Sequence, residues 1–310
     1  MRARAVGLWA VLLLVYVSWS WAQPSPVAAV QRIATLKKQA TAGDAKAQFT
    51  LGYAYQIGQD VPQDYTKAAT WWRKAAESGN AGAQFKLGWL YESGKGMTQD
   101  YAQAATWFRK AADQGNLDAQ FSLGVFYEYG NGVPQDYAQA AVYYRKAADQ
   151  GDADAQNFLG DAYGKGVGVP KDLVQMVAWY RKAADKGNTD AQKSLGDVYY
   201  FGTGVREDQA ESARWYRSAA ENGNADAQFE LGVMYYDGTG VPQDFAESYF
   251  WLDIAASGKS IGENKELADL EKMAKRRNDA ASNLTKTVLL ETQNRARKWF
   301  EEHSAKANPQ

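Results

Sequence analysis

The sequence contains no cysteine. That excludes a disulfide framework, a thiolate metal site, a cysteine nucleophile and a lipid anchor attached through cysteine. Histidine occurs once, at His303 near the end of the chain, so the sequence offers no serine–histidine pair for nucleophilic catalysis. No Ser-x-x-Lys occurs, which removes the penicillin-recognising signature. Neither sign of charge dominates: 35 Lys and Arg face 36 Asp and Glu, for a net charge of -1. Such a balance gives no footprint for nucleic acid or an anionic membrane surface.

Apolar runs are also scarce. The one that stands out is Ala5 to Val17, preceded by Arg2 and Arg4 and followed by Ser20-Trp21-Ala22. A basic start, a short apolar stretch and small residues at the −3 and −1 positions before Gln23 read as a secretory signal over 1–22, cleaved after Ala22. The run is short for a membrane span; the alternative is an uncleaved N-terminal anchor. The expectation is therefore an exported protein, periplasmic or secreted, with no transmembrane segment after cleavage.

What the chain has in abundance is repetition. Gln48, Gln84, Gln120, Gln156, Gln192 and Gln228 recur every 36 residues, each behind an alanine and each four residues ahead of a glycine, Gly52 through Gly232. A unit of this size cannot bury its apolar face alone, so copies must stack into an elongated solenoid. In the second copy Ala83, Leu87, Leu90 and Tyr91 fall at helical spacing and predict a helix A over Ala81–Ser93, stopped by Gly94. Asp100 is placed to cap a helix B carrying Ala104, Ala105, Phe108, Ala111 and Ala112 on one stripe, and Asn116 to cap the next helix A. The organisation read from this pattern is a linker over 23–29, an N-terminal half-repeat cap over 30–44, six repeats over 45–258, capping helices over 259–303 and a disordered tail over 304–310. The fold class is all-α: a right-handed superhelix of stacked antiparallel helix pairs.

Two features of the repeat invite chemistry and are better read as structure. The helix B aromatics, Trp71-Trp72 through Trp251-Leu252, resemble a stacking ladder, but rings of this size at one helical position fill a core. The loops such as Gly94-Lys95-Gly96, and the Gly258-Lys259-Ser260 stretch, lack the preceding strand and upstream glycine that a phosphate loop needs. They read as turns. No catalytic residue, cofactor site or metal site emerges.

The stretches Ala83-Gln84-Phe85-Lys86-Leu87-Gly88, Gly130-Asn131-Gly132-Val133-Pro134-Gln135-Asp136 and Ala140-Ala141-Val142-Tyr143-Tyr144-Arg145-Lys146-Ala147-Ala148 resemble the Sel1-like repeat family, relatives of tetratricopeptide repeats, over Ala45 to Gly258. Tyr249 to Ala256 is similar to the closing repeat of many bacterial members. The resemblance implies an adaptor that binds a protein or peptide and has no enzymatic activity. Tetratricopeptide relatives line a concave groove with helix A positions equivalent to 85, 89 and 92 here. The groove candidates are thus Phe49, Phe85, Phe121 and Phe229, with Asn157 and Lys193 between them; then Tyr53, Trp89, Val125, Asp161, Asp197 and Val233; then Gln56, Glu92, Glu128, Gly164, Tyr200 and Tyr236. The first row has a second reading, as packing against the neighbouring helix A. The expected function is a monomeric protein-interaction scaffold of the bacterial envelope. A cell-wall enzyme or enzyme subunit and a self-assembling structural protein are the alternatives.

Overall fold

The computed structural model describes residues 26–257 and 267–307. The signal expected over 1–22, its cleavage point and the Gly258-Lys259-Ser260 turn lie outside them. Among the described residues there are fifteen helices and no strand. A first helix, α1 (Pro26–Thr41), precedes six A–B pairs: α2 (Ala45–Ile57) with α3 (Tyr65–Glu77), α4 (Ala81–Ser93) with α5 (Tyr101–Asp113), α6 (Leu117–Tyr129) with α7 (Tyr137–Asp149), α8 (Ala153–Lys165) with α9 (Leu173–Asp185), α10 (Thr189–Phe201) with α11 (Gln209–Glu221), and α12 (Ala225–Asp237) with α13 (Phe245–Ser257). Two more, α14 (Leu267–Ser282) and α15 (Lys286–Ala307), follow. Consecutive helices pack on one another from α1 to α14, and α15 returns onto α13. This is an α-solenoid.

Each helix is delimited by its own sequence. Asp44, Asn80, Asn116, Asp152, Asn188 and Asn224 sit in extended backbone and accept the amide of the alanine three residues on at 2.6–2.9 Å. Asp64, Asp100, Asp136, Asp172, Asp208 and Asp244 cap the B helices, accepting the amides of Lys67, Gln103, Gln139, Gln175, Glu211 and Glu247 at 2.9–3.0 Å. Each such cap contributes about 1 kcal/mol by satisfying an orphan amide. The A helices end on left-handed glycines such as Gly94, φ 67°.

The repeated glutamine and glycine are explained by packing between units. Each glutamine is buried, and its Nε2 donates to the last-turn carbonyl of the preceding helix (Ala40, Ala76, Ala112, Ala148, Ala184 and Ala220) at 3.0–3.2 Å. Each helix A glycine lies under a helix B side chain. A Cβ on Gly52, Gly88, Gly124, Gly160, Gly196 or Gly232 would come within 2.4–2.7 Å of Trp72, Phe108, Tyr144, Tyr180, Tyr216 or Leu252. Only glycine lets the ring rest on the backbone. Adjacent units are then clamped by arginines reaching tyrosine hydroxyls of the next helix A: Arg73 to Tyr91 at 2.9 Å, Arg109 to Tyr127 at 2.7 Å, and likewise Arg145 to Tyr163, Arg181 to Tyr199 and Arg217 to Tyr235.

The helix B aromatics need one refinement. The second of each pair is buried throughout, Trp72 and Phe108 completely. Among the first members Tyr143, Trp179 and Trp251 are buried, whereas Trp71, Trp107 and Trp215 are half-buried. Neighbours on a helix point about 100° apart, so the first ring lies at the seam and is covered in part by lysine: Lys74 over Trp71 at 4.6 Å, Lys110 over Trp107 at 4.1 Å.

The ends depart from the sequence reading. Helix α1 starts at Pro26, inside the stretch expected as linker; proline is well suited to a first helical turn, where its missing N–H is not needed. The tail is not unstructured from residue 304, because α15 continues through Ala307; alanine and lysine there are strong helix formers. His303 belongs to this helix, with its ring stacked 3.9 Å from that of Trp299 and Nδ1 2.8 Å from the Trp299 carbonyl oxygen. Ion pairs fasten the C-terminal helices to repeat six: Arg276 to Asp237 at 3.2 Å, Arg277 to Asp253 at 3.3 Å and Arg295 to Glu247 at 2.7 Å. Among the described residues no helix is long and apolar enough to cross a membrane.

Candidate functional site

With Ala83 and Leu87 and their equivalents fully buried, helical geometry places positions 85, 89 and 92 of each unit on one common face formed by the six A helices. The first row is half-buried. Phe85 packs 5.6 Å from Phe108 of its own helix B, and Phe121 lies 5.9 Å from Tyr144 and 5.7 Å from Phe158 of the next helix A. Phe49 covers Gly82, and Phe229 packs beside Leu252. These rings are therefore floor: one edge faces out while the body contributes to packing. Asn157 and Lys193 interrupt the row, and Lys193 pairs with Asp197 at 2.7 Å.

The second row stands further out at its start. Tyr53 is 43% exposed and lines a 530 Å³ cleft between α1 and α2, walled by Arg32 and its ion-pair partner Asp60. Trp89 is half-buried beside Tyr65, 6.3 Å away, with the Lys95 ammonium over both rings. Val125 and Val233 are half-buried. In the third row Gln56, Glu92, Glu128, Tyr200 and Tyr236 are half-buried; Gly164 is there because the Met176 thioether fills the space a side chain would take.

Carboxylates run along this face: Glu92, Glu128, Asp161, Asp197 and Glu230. Three of them accept a hydrogen bond from a helix B tyrosine. Tyr144 donates to Glu128, Tyr180 to Asp161 at 2.6 Å and Tyr216 to Asp197 at 2.7 Å. Burial, then the bond to the carboxylate, holds these three phenols well above the usual tyrosine range, so they remain donors. The tyrosines thus link the core to the face and fix the orientation of its charges. Burial also raises Glu92 and Glu230, the latter further through the charge of Asp197.

A second recess interrupts the face. Between α6, α7 and α8 lies a half-open pocket of 280 Å³ bounded by Glu128, Tyr137, Tyr144, Phe158, Asp161 and Ala162. Of these the sequence reading singled out only Glu128 and Asp161. Phe158 and Ala162 were detectable as departures from the repeat. Position 158 holds Thr50, Lys86, Ser122, Ser194 and Glu230 in the other units, and position 162 holds Leu90, Phe126, Val198 and Met234 in units two, three, five and six. Among the described residues no group of three histidine, cysteine, aspartate or glutamate side chains has the closeness of a metal site.

The Sel1 repeat model matches the chain six times in register, at 45–80, 81–116, 117–152, 153–188, 189–224 and 225–260. No curated protein matches. Among solved structures the chain is similar to a protective antigen of uropathogenic Escherichia coli strains displaying an SLR fold, at 40% identity and a TM-score of 0.72. That match covers 80% of this chain and 56% of the antigen, so the chain spans little more than half the antigen's length. It is also similar to a Sel1 repeat protein from Oxalobacter formigenes, at 34% identity and a TM-score of 0.67, over 73% of this chain and 92% of that one. The chain belongs to the Sel1 repeat family. Proteins of this family are generally non-catalytic scaffolds for protein interaction.

Proposed function

We propose that this Sel1 repeat protein is an exported scaffold of the bacterial envelope that holds a segment of a partner protein along the face of its six A helices. The observation that carries the reading is the composition of that face. Half-buried aromatic rings and tyrosine-oriented carboxylates alternate along it on a framework whose caps, glutamines and glycines are all engaged in packing. A rigid surface lowers the ordering cost of binding, and aromatic anchors with oriented charges supply affinity and register. The export reading rests on the Arg2–Ala22 pattern alone.

The test is affinity capture from envelope extract with protein beginning at Gln23, beside a Tyr53→Ala/Trp89→Ala version. These two are chosen over Phe85 and Phe121 because the latter brace Phe108 and Tyr144. The expected outcome is a partner held by the first protein and lost by the second at equal helicity and melting temperature. Retention of the same partners by both would move binding to helix B or the terminal helices. Recovery of the unprocessed chain in the cytoplasm would overturn the envelope assignment.

A further inference from the structure

The pocket between α6, α7 and α8 is a place where the repeat is broken in a way that opens space. In units two, three, five and six the position equivalent to Ala162 carries Leu90, Phe126, Val198 or Met234, each no more than 3% exposed. In unit three, for instance, Phe126 fills the equivalent volume by an edge contact to Phe108 at 5.2 Å. Ala162 leaves that volume open. At the same time Phe158 replaces the polar residues found at its position elsewhere. It stacks on Tyr144 at 5.1 Å and an interplanar angle of 22°, and meets Phe121 at 5.7 Å. The result is a recess with aromatic walls, Tyr144 and Phe158, with Tyr137 among its lining residues.

Its charge is as specific as its shape. Glu128 and Asp161 both border the recess. The Tyr144 hydroxyl occupies Oε2 of Glu128, and the Tyr180 hydroxyl occupies Oδ1 of Asp161 at 2.6 Å. Among the described residues that line the recess the one cation is Lys165, an i,i+4 partner of Asp161 at 2.9 Å whose side chain is 68% exposed. Such surface pairs are weak and exchangeable. Two carboxylates against one lysine leave the recess with an unbalanced negative charge. Tyr144 and Phe158 stack on each other, so the ring face open to a guest is that of Tyr137, 44% exposed; negative charge beside it selects a cation, since the ring quadrupole and the carboxylates attract the same guest. At 280 Å³ the recess falls below the usual range of pockets for drug-sized ligands, about 300–1,000 Å³, and suits a single side chain.

We propose that this recess is the anchoring pocket for one cationic side chain of the bound partner segment, an arginine in preference to lysine. The planar guanidinium stacks on an aromatic face while forking to a carboxylate, which a lysine ammonium does not do. The proposal rests on the peptide-groove reading and specifies its ligand: the segment carries an arginine where it crosses repeats three and four.

The probe is the blocked tripeptide Gly-Arg-Gly, titrated into ¹⁵N-labelled full-length protein and followed by NMR, with citrulline in place of arginine as the neutral control of the same shape. Saturable shifts centred on Glu128, Phe158 and Ala162 are expected, with citrulline binding at least about tenfold more weakly. Ala162→Met, which installs the side chain of unit six, is expected to abolish the arginine response without lowering the melting temperature. Should that variant fold poorly, Glu128→Gln/Asp161→Asn keeps acceptors for Tyr144 and Tyr180 while removing both charges, and is expected to lose at least tenfold in affinity. Equal binding of citrulline, unchanged binding by the variants, or no saturable shift overturns the pocket. The two readings separate cleanly. If Tyr53→Ala/Trp89→Ala abolishes partner capture while the tripeptide fails to bind, the groove stands and the pocket falls. If the tripeptide binds as expected but capture ignores both Ala162→Met and Tyr53→Ala/Trp89→Ala, the groove falls.

Discussion

An alanine at Gly124 tests the packing rule on which the whole array depends. Its Cβ would lie 2.6 Å from Cδ1 and from Cε1 of Tyr144 and 3.2 Å from Cγ, inside the van der Waals limit. The ring has little freedom to retreat: Tyr144 is 3% exposed, stacked on Phe158 and tied through its hydroxyl to Glu128. Two effects then oppose each other. Glycine to alanine in a helix gains about 1 kcal/mol of intrinsic propensity. Overpacking a filled core costs about 1–3 kcal/mol, and a pinned ring belongs to the upper part of that range. The net expected for Gly124→Ala is a loss of about 1–2 kcal/mol, or a fall of about 2–8 °C in melting temperature for a chain of this size. Propensity and packing separate in a double-mutant cycle with Tyr144→Ala. Once the ring is gone the same Gly124→Ala change is expected to stabilise by about 1 kcal/mol, giving a coupling of about 2–3 kcal/mol. Guanidinium unfolding followed by far-ultraviolet circular dichroism measures the cycle. Because contacts in a solenoid are local, amide exchange is expected to accelerate first in α6 and α7. A coupling near zero would refute the argument that the ring enforces the glycine.

Two further outcomes follow from the polar packing. Gln114 donates to Oε1 of Gln84 and Gln150 to that of Gln120, both at 2.7 Å, and Asn222 reaches Gln192 at 3.3 Å; in the intervening unit Lys186 turns instead to the Gly151 carbonyl at 2.5 Å and leaves Oε1 of Gln156 buried without a protein partner. Lys186→Gln is expected to stabilise the chain by about 0.5–1.5 kcal/mol, read in the same unfolding assay, and a loss of stability would contradict the account. Glu230 has its carboxyl raised by burial first and by Asp197 second, against partial relief from Lys193 and Lys272. A raised acid contributes stability below its ordinary value of 4.5 and loses it as pH rises through the folded value. Glu230→Gln is therefore expected to stabilise the protein at neutral pH and to make no difference well below 4.5; a gain of equal size at both ends would point to packing and not to charge.

Much of this structure was legible because the sequence states it six times. The helix A over Ala81–Ser93 and the caps Asp100 and Asn116 follow from spacing and side-chain chemistry, and the structure places them there. The start of α1 was less legible, since one half-repeat carries too few periodic residues to outweigh two nearby prolines. The run of α15 through Ala307 was hidden for a related reason: with no repeat partner, its last turns carry no apolar pattern and rest on local propensity. On the face itself, spacing indicates which residues point outward but not how deep each sits. Phe85 and Phe121 fall on the outward side and still lose half their surface, because large rings lean onto Phe108 and Tyr144 across small neighbours. The tyrosine–carboxylate bonds were invisible for a different reason. Tyr144, Tyr180 and Tyr216 occupy a position that is otherwise Trp, Phe or Leu, and nothing in a one-dimensional pattern says that the hydroxyl passes between helices to reach the face.

The same contrast separates framework from function. A position that is alike in all six units meets the same neighbours six times, and its identity is explained by stacking: glutamine for a carbonyl, glycine for a ring, aspartate or asparagine for an amide. Stacking therefore leaves such positions no freedom to recognise one partner over another. Recognition has to come from positions where the units differ while the stack is preserved. Phe158 meets both conditions, and Ala162, shared only with Ala54 of unit one, meets them against the other four units: α8 nevertheless keeps its cap, its Gln156 bond and its contact to α9. Lys186 differs too, but it exchanges a side-chain hydrogen bond to the glutamine for one to the Gly151 carbonyl at the seam. A departure that opens a lined, charged recess on the common face is the kind a ligand can read, and the junction of repeats three and four carries one.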